Sequence, residues 1–197
     1  MTKKLHSVLP VLVLLACGLI PLTAAAGPIT FTESFTAAGT VNGNPFDANV
    51  IFSLTTDTTL ITGGGGIFLT PAGVASVTIQ GVGAGTFTDP FDVFDNQNVS
   101  VAGFTDVNIE DIVDLSNSAF ATYNLQSPIG PLASTFFFVD TGAALDSTLG
   151  TIIIDSTSGT PTFAATTSGT TPEPGSLVLF GSGVVGLAAV IRRKLKM

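Results

Sequence analysis

Residues 29–55 read ITFTESFTAAGTVNGNPFDANVIFSLT, and the alternation within this stretch decides the fold class. Ile29, Phe31 and Phe35 alternate with Thr30, Thr32 and Ser34, so an extended chain here has one apolar and one hydroxylated face. Glu33 breaks the pattern by standing on the apolar side. Further on, Ala48, Val50, Phe52 and Leu54 alternate with Asn49, Ser53 and Thr55, with Ile51 on the polar side. Asn42-Gly43 between the two runs fits a hairpin whose central residues need positive φ. Two long antiparallel strands follow, each with a dry and a wet face.

The pattern continues outward. Ala75, Val77 and Ile79 alternate with Ser76, Thr78 and Gln80. Further strands are expected around Phe87 and over residues 99–104, 134–139, 151–154 and 161–166, where β-branched and aromatic residues dominate. The glycine runs 63–66 and 81–85 read as turns between them. In Phe136-Phe137-Phe138, neighbours must point to opposite faces, which assigns one or two rings to the core and the rest to an edge. Asn108 to Leu115 places Ile109, Ile112 and Val113 at helical spacing and predicts one short helix. Short strands punctuated by turns favour an all-β, antiparallel β-sandwich of jelly-roll-like form over a helix-linked parallel sheet. The expected organisation is a signal peptide over 1–26, a sandwich domain over 27–164, a linker over 165–171 and a terminal segment over 172–197.

Charge sharpens the exclusions. All six Lys and Arg residues lie at the ends: Lys3, Lys4, Arg192, Arg193, Lys194 and Lys196. Between Gly27 and Thr171 there are thirteen acidic residues and no Lys, Arg or His. That field repels nucleic acid and anionic headgroups. Without His, Cys or Lys the segment cannot build a Ser-His-Asp or Cys-His site, nor a zinc site of nitrogen or sulfur ligands. Glycine run 63–66 lacks the Lys-Ser/Thr ending of a phosphate loop. A glycosidase needs only two carboxyl groups, but the chain has no Trp and a single Tyr to stack a sugar. The expectation is a protein that is not an enzyme, with no metal site and no cofactor. Calcium is the alternative: Asp89, Asp92, Asp95, Asn96 and Asn98 form one oxygen-rich group, and Asp106, Asn108, Glu110 and Asp111 another. The second group echoes the start of an EF-hand loop, then fails at position six, Asp111, and position twelve, Asn117. The corresponding alternative function is a calcium-dependent binding or adhesion module.

The two ends carry addressing signals. Lys3 and Lys4, the apolar run Val8 to Ile20 and Ala24-Ala25-Ala26 have the layout of a secretory signal cleaved after Ala26. Cys17, the only cysteine, lies inside that run. The preceding Leu14-Leu15-Ala16 resembles a lipobox, with Leu15 a poor fit, and the preferred reading is an apolar residue of the signal. At the other end, residues 175–191 are uncharged. As a transmembrane helix they would span about 26 Å, just under a hydrocarbon core of about 30 Å. Arg192, Arg193 and Lys194 then act as a stop-transfer cluster on the cytoplasmic side.

Thr171-Pro172-Glu173-Pro174-Gly175-Ser176, the apolar segment and the basic cluster, in that order at the end of the chain, resemble the PEP-CTERM sorting signal of exported proteins of Gram-negative bacteria. The resemblance implies an exosortase-like membrane protease as partner, with Pro172, Glu173 and Pro174 as the recognition triplet. It further implies transient anchoring in the inner membrane, release to the cell surface or extracellular space, and an association with exopolysaccharide and biofilm. The domain, with DLSNSAFATYNL at 114–125, is similar to uncharacterised Thr/Gly-rich domains of such proteins, a similarity that implies no activity.

Overall fold

The computed structural model describes residues 27–106, 110–167 and Gly183. Thirteen strands form two antiparallel sheets: β1 (Pro28–Val41), β2 (Asn44–Asp57), β3 (Thr62–Gly64), β4 (Ile67–Leu69), β5 (Ser76–Ile79), β6 (Gly83–Thr86), β7 (Phe91–Asn96), β8 (Val101–Asp106), β9 (Glu110–Ser116), β10 (Ile129–Ala133), β11 (Thr135–Val139), β12 (Ala144–Ser147) and β13 (Gly150–Thr167). The first sheet has the order β10-β13-β1-β2-β5-β6, with β12 also paired to β13; the second runs β11-β9-β8-β7-β4-β3. Sequential strands such as β1 and β2, or β7, β8 and β9, are neighbours within one sheet. Other neighbours are distant in sequence, β1 beside β13, β2 beside β5, β4 beside β7 and β9 beside β11, so the chain crosses repeatedly between the two sheets, as in a β-sandwich.

The opening stretch folds as its alternation requires. β1 and β2 pair along their full length, from Pro28 against Asp57 to Val41 against Asn44. Asn42 and Gly43 make the two-residue turn with φ of 50° and 77°, the doubly positive geometry that suits the twist of adjoining strands. The inward row Ile29, Phe31, Phe35 of β1 meets Val50, Phe52, Leu54 of β2 in a continuous core. On the wet face, Thr30 and Thr55 hydroxyls lie 2.8 Å apart and Ser34 donates to Asn49 at 3.1 Å. Rings crossing the interior join the sheets: Phe35 meets Phe136 edge-on with centroids 6.2 Å apart, and Phe52 meets Phe104 at 6.0 Å.

Several expectations need correction. The helix predicted over 108–115 is strand β9, hydrogen-bonded to β8 on one side and β11 on the other; residues 107–109 lie outside the described residues. A register shift between Phe104 and Thr105 puts one extra β9 residue against β8. Such a bulge lets the consecutive Ile112 and Val113 both be buried, which in sequence imitates helical spacing. The separate strands expected at 151–154 and 161–166 are one strand, β13, of 18 residues. That strand continues through Thr167, where Ala165 and Thr167 pair with Phe31 and Ile29. Residues 165–167, expected to open the linker, are therefore held in the sheet by partners on β1, and residues 168–171 lie outside the described residues. Part of the glycine run 81–85 forms β6 against β5, and Phe87 makes only an isolated bridge to Ser147. Of the three consecutive phenylalanines, Phe136 packs on the core while Phe137 and Phe138 are exposed by 61% and 45%. Strict alternation would return Phe138 to the side of Phe136, and the register shift between them against β9 breaks it.

Candidate functional site

Pro172, Glu173, Pro174, Arg192, Arg193 and Lys194 all lie outside the described residues, as do residues 1–26 and nearly all of the expected transmembrane segment. Among the described residues no helix is long and apolar enough to cross a membrane. The structure does define how the domain presents this tail. Thr167 at the end of β13 pairs with Ile29 at the start of β1, so the chain enters and leaves the sandwich at neighbouring points. β13 lies between β1 and β10, an interior position of its sheet. The last described strand ahead of the sorting segment is therefore an interior one.

The oxygen-rich groups proposed for calcium are not assembled as loops. Asp92, Asp95 and Asn96 belong to strand β7, where successive side chains point to opposite faces. Asn98 Nδ2 instead donates to the Gly65 carbonyl at 3.2 Å. The run from Asp106 is divided between β8 and β9, with Asp106 opposite Glu110 and Asp111 opposite Thr105; Asn108 lies outside the described residues. Among the described residues, no three His, Cys, Asp or Glu side chains converge as metal donors.

What the fold brings inside is a set of carboxyl groups that the loop reading missed. Glu33 keeps the inward place its alternation assigns and is 0% exposed. Both of its oxygens are buried without a hydrogen-bond partner. Asp95 is also 0% exposed, with both oxygens unpartnered; its row on β7 includes Phe91 and Val93, both core residues. Asp114 is 2% exposed, and its Oδ1 has no partner. A Cβ on Gly103 would come within 2.5 Å of that oxygen and collide with the Val113 carbonyl. Gly103 alternates with the core residues Ala102 and Phe104, so the Asp114 carboxyl lies over the glycine on the face away from the core. Only a residue without a side chain leaves that space.

Burial sets the electrostatics. Glu33 is held well above the ordinary carboxyl range, by desolvation first and by the charge of Asp114 second. Desolvation raises Asp95 to about 7, and desolvation with the neighbouring charge of Asp111 raises Asp114 to about 7. Asp92 is raised by desolvation alone. The Tyr123 phenol is pushed up by burial and then by Asp95; its hydroxyl donates to the Ser127 carbonyl at 2.9 Å. Asp57 is the counterexample. It is only partly covered at the start of the 3-10 turn Thr58–Leu60, accepts from the Thr59 hydroxyl at 2.7 Å and the Thr59 N–H at 2.8 Å, and is lowered by both. One signal for the buried set was visible beforehand: Glu33 on the apolar side of an otherwise regular strand.

Comparison with known proteins adds one finding. Residues 170–194 match the PEP-CTERM protein-sorting motif. The match takes in Pro172, Glu173 and Pro174 as well as Arg192, Arg193 and Lys194. No curated protein matches the chain, and no solved structure does. The motif implies an exported protein, made as a membrane-anchored precursor and processed by an exosortase-type membrane protein.

Proposed function

We propose that this chain is a non-enzymatic protein of the cell surface or extracellular matrix, delivered by a signal peptide over 1–26 and a cleavable tail over 172–197. The matched sorting motif carries the reading. Pro172, Glu173 and Pro174 are the recognition triplet, residues 175–191 hold the precursor in the inner membrane, and Arg192, Arg193 and Lys194 stop its transfer. Cleavage near the triplet then frees the domain. Two structural features support this order of events. The described domain ends at Thr167, before the triplet, so every strand pairing of the described residues lies outside the tail. Its two ends are adjacent, at Ile29 and Thr167, so a precursor attached through both is held from one end of the sandwich.

The absence of Lys, Arg, His and Cys between residues 27 and 171 supports a role without catalysis, because the usual nucleophile–base pairs have no members there. The association of this sorting signal with exopolysaccharide-producing systems supports a matrix role in a biofilm. Mass spectrometry of the protein from cells that carry the sorting enzyme tests the route. The expected C-terminus lies near Pro172–Pro174, and replacing all three by alanine should leave the tail attached. A wild-type chain still ending at Met197 overturns it.

A further inference from the structure

The thirteen acidic residues between 27 and 171 share the segment with no lysine, arginine or histidine. No cationic side chain of the domain is there to neutralise a carboxylate. Asp57 meets this by staying in water and accepting from Thr59. Glu33 and Asp95 cannot, since both are fully buried with every carboxyl oxygen unpartnered.

Their surroundings are apolar or acidic. Glu33 stands between Phe52 on β2 and Phe163 on β13 in the sheet register. Asp95 stands between Phe68 on β4 and Ala102 on β8. The titratable groups on the elements around them are Asp47 and Asp57 on β2, Asp92 on β7, Asp106 on β8, Glu110, Asp111 and Asp114 on β9, Asp155 on β13, and Tyr123 beyond the 3-10 turn Ser118–Thr122. Every one of these is acidic. A naked carboxylate in such an interior loses its hydration and gains no counter-charge. A neutral carboxylic acid loses far less.

We propose that Glu33 and Asp95 are held in the folded sandwich as neutral carboxylic acids, and that together they make the domain proton-operated: tight in acid, looser as the medium turns neutral and alkaline. Folding above the ordinary carboxyl range then takes up protons from water, one for each group. The direction follows from linkage. In the unfolded chain both groups ionise near pH 4; in the folded chain burial keeps Glu33 protonated well beyond that and Asp95 to about pH 7. Below about pH 4 both states carry the protons and the stability is fully present. Above it the unfolded chain alone releases them. The unfolding constant then rises about tenfold per pH unit for each such group, until the folded group ionises too. This is the reverse of ordinary acid denaturation, where paired carboxylates lose their partners.

The test is urea unfolding of the full chain in mild detergent between pH 4 and pH 8. The wild-type midpoint should fall steadily with pH. Glu33→Gln and Asp95→Asn should each flatten the fall, and the double variant should lose most of it, leaving the contribution of Asp114. Asp57→Asn, on the surface, should keep the wild-type slope. Should the interior variants fail to fold, the infrared carbonyl band of protonated carboxyl groups decides with the wild type alone. It should be present in the folded chain at pH 6 and vanish on unfolding in urea. A midpoint that is flat or rises with pH overturns the proposal. So does a folded chain that lacks the band and gains stability from millimolar calcium, since a cation would then occupy the place assigned to protons.

Discussion

In the first sheet, β1 and β2 have 14 residues each and β13 has 18. In the second sheet the longest strand, β9, has 7, and β3 and β4 have 3 each. Both sheets supply one wall of the same core, yet they distribute acid differently. The inner face of the long strands β1, β2 and β13 carries Glu33 alone among the fully buried acids, whereas the second sheet has Asp95 facing the core and Asp114 on the far side. Long strands with one dry face and one wet face carry their orientation in a regular alternation. That holds for β1 and β2, whereas β13 is interrupted by register shifts against β1, and β9 by a bulge against β8. β7 alternates without a shift but is only six residues long, and its Asp95 does not stand out in the sequence.

Substitutions at three places probe this difference. The largest effect is expected at the centre of the first sheet. Phe52 is fully buried and meets Phe35, Phe87 and Phe104 edge-on. Phe52→Ala should cost about 3–5 kcal/mol by loss of buried surface and creation of a cavity, read as a large drop in the urea midpoint. A loss below about 1 kcal/mol would show that the long strands do not anchor the core. In the second sheet, Gly103→Ala tests the place reserved for Asp114. The added methyl meets the Val113 carbonyl and Asp114 Oδ1, and an overpacking cost of about 1–3 kcal/mol is expected. If Gly103→Ala and Asp114→Asn prove strictly additive in a double-mutant cycle, the glycine and the acid are not coupled. The smallest effect is expected at the edge. Phe137 on β11 is 61% exposed, and Phe137→Ser should move the thermal midpoint by no more than corresponds to about 0.5 kcal/mol.

The same contrast explains which residues were legible. Residues 29–55 could be placed almost residue by residue, because a strand with one wet side alternates with period two and a two-residue Asn-Gly turn locks the register. Even the exception at Glu33 was placed on its correct side. β7 is not legible as a strand, because Asp92, Asp95 and Asn96 resemble turn residues and stand out only as the oxygen-rich group of the calcium alternative; Phe91, Val93 and Asp95 share a row in a strand flanked by β4 and β8. β9 passed for a helix because its bulge makes two adjacent residues inward. A lone residue cannot announce a bulge, which exists only as a mismatch between two strands.

Composition and terminal motifs by themselves determined the class of the protein. An alternating, Thr-rich chain with turn pairs makes antiparallel sheets, a domain without cations cannot assemble the usual catalytic pairs, and the ordered Pro-Glu-Pro, apolar run and basic cluster direct export. Those conclusions depend on local chemistry or on the mere presence of residue types. The tertiary structure decided which acids lose their water. Asp95 differs from Asp57 in nothing that a residue name records, and Glu33 differs only by one methylene. They differ because one sheet closes over the other, and desolvation is a property of that closure rather than of the side chain.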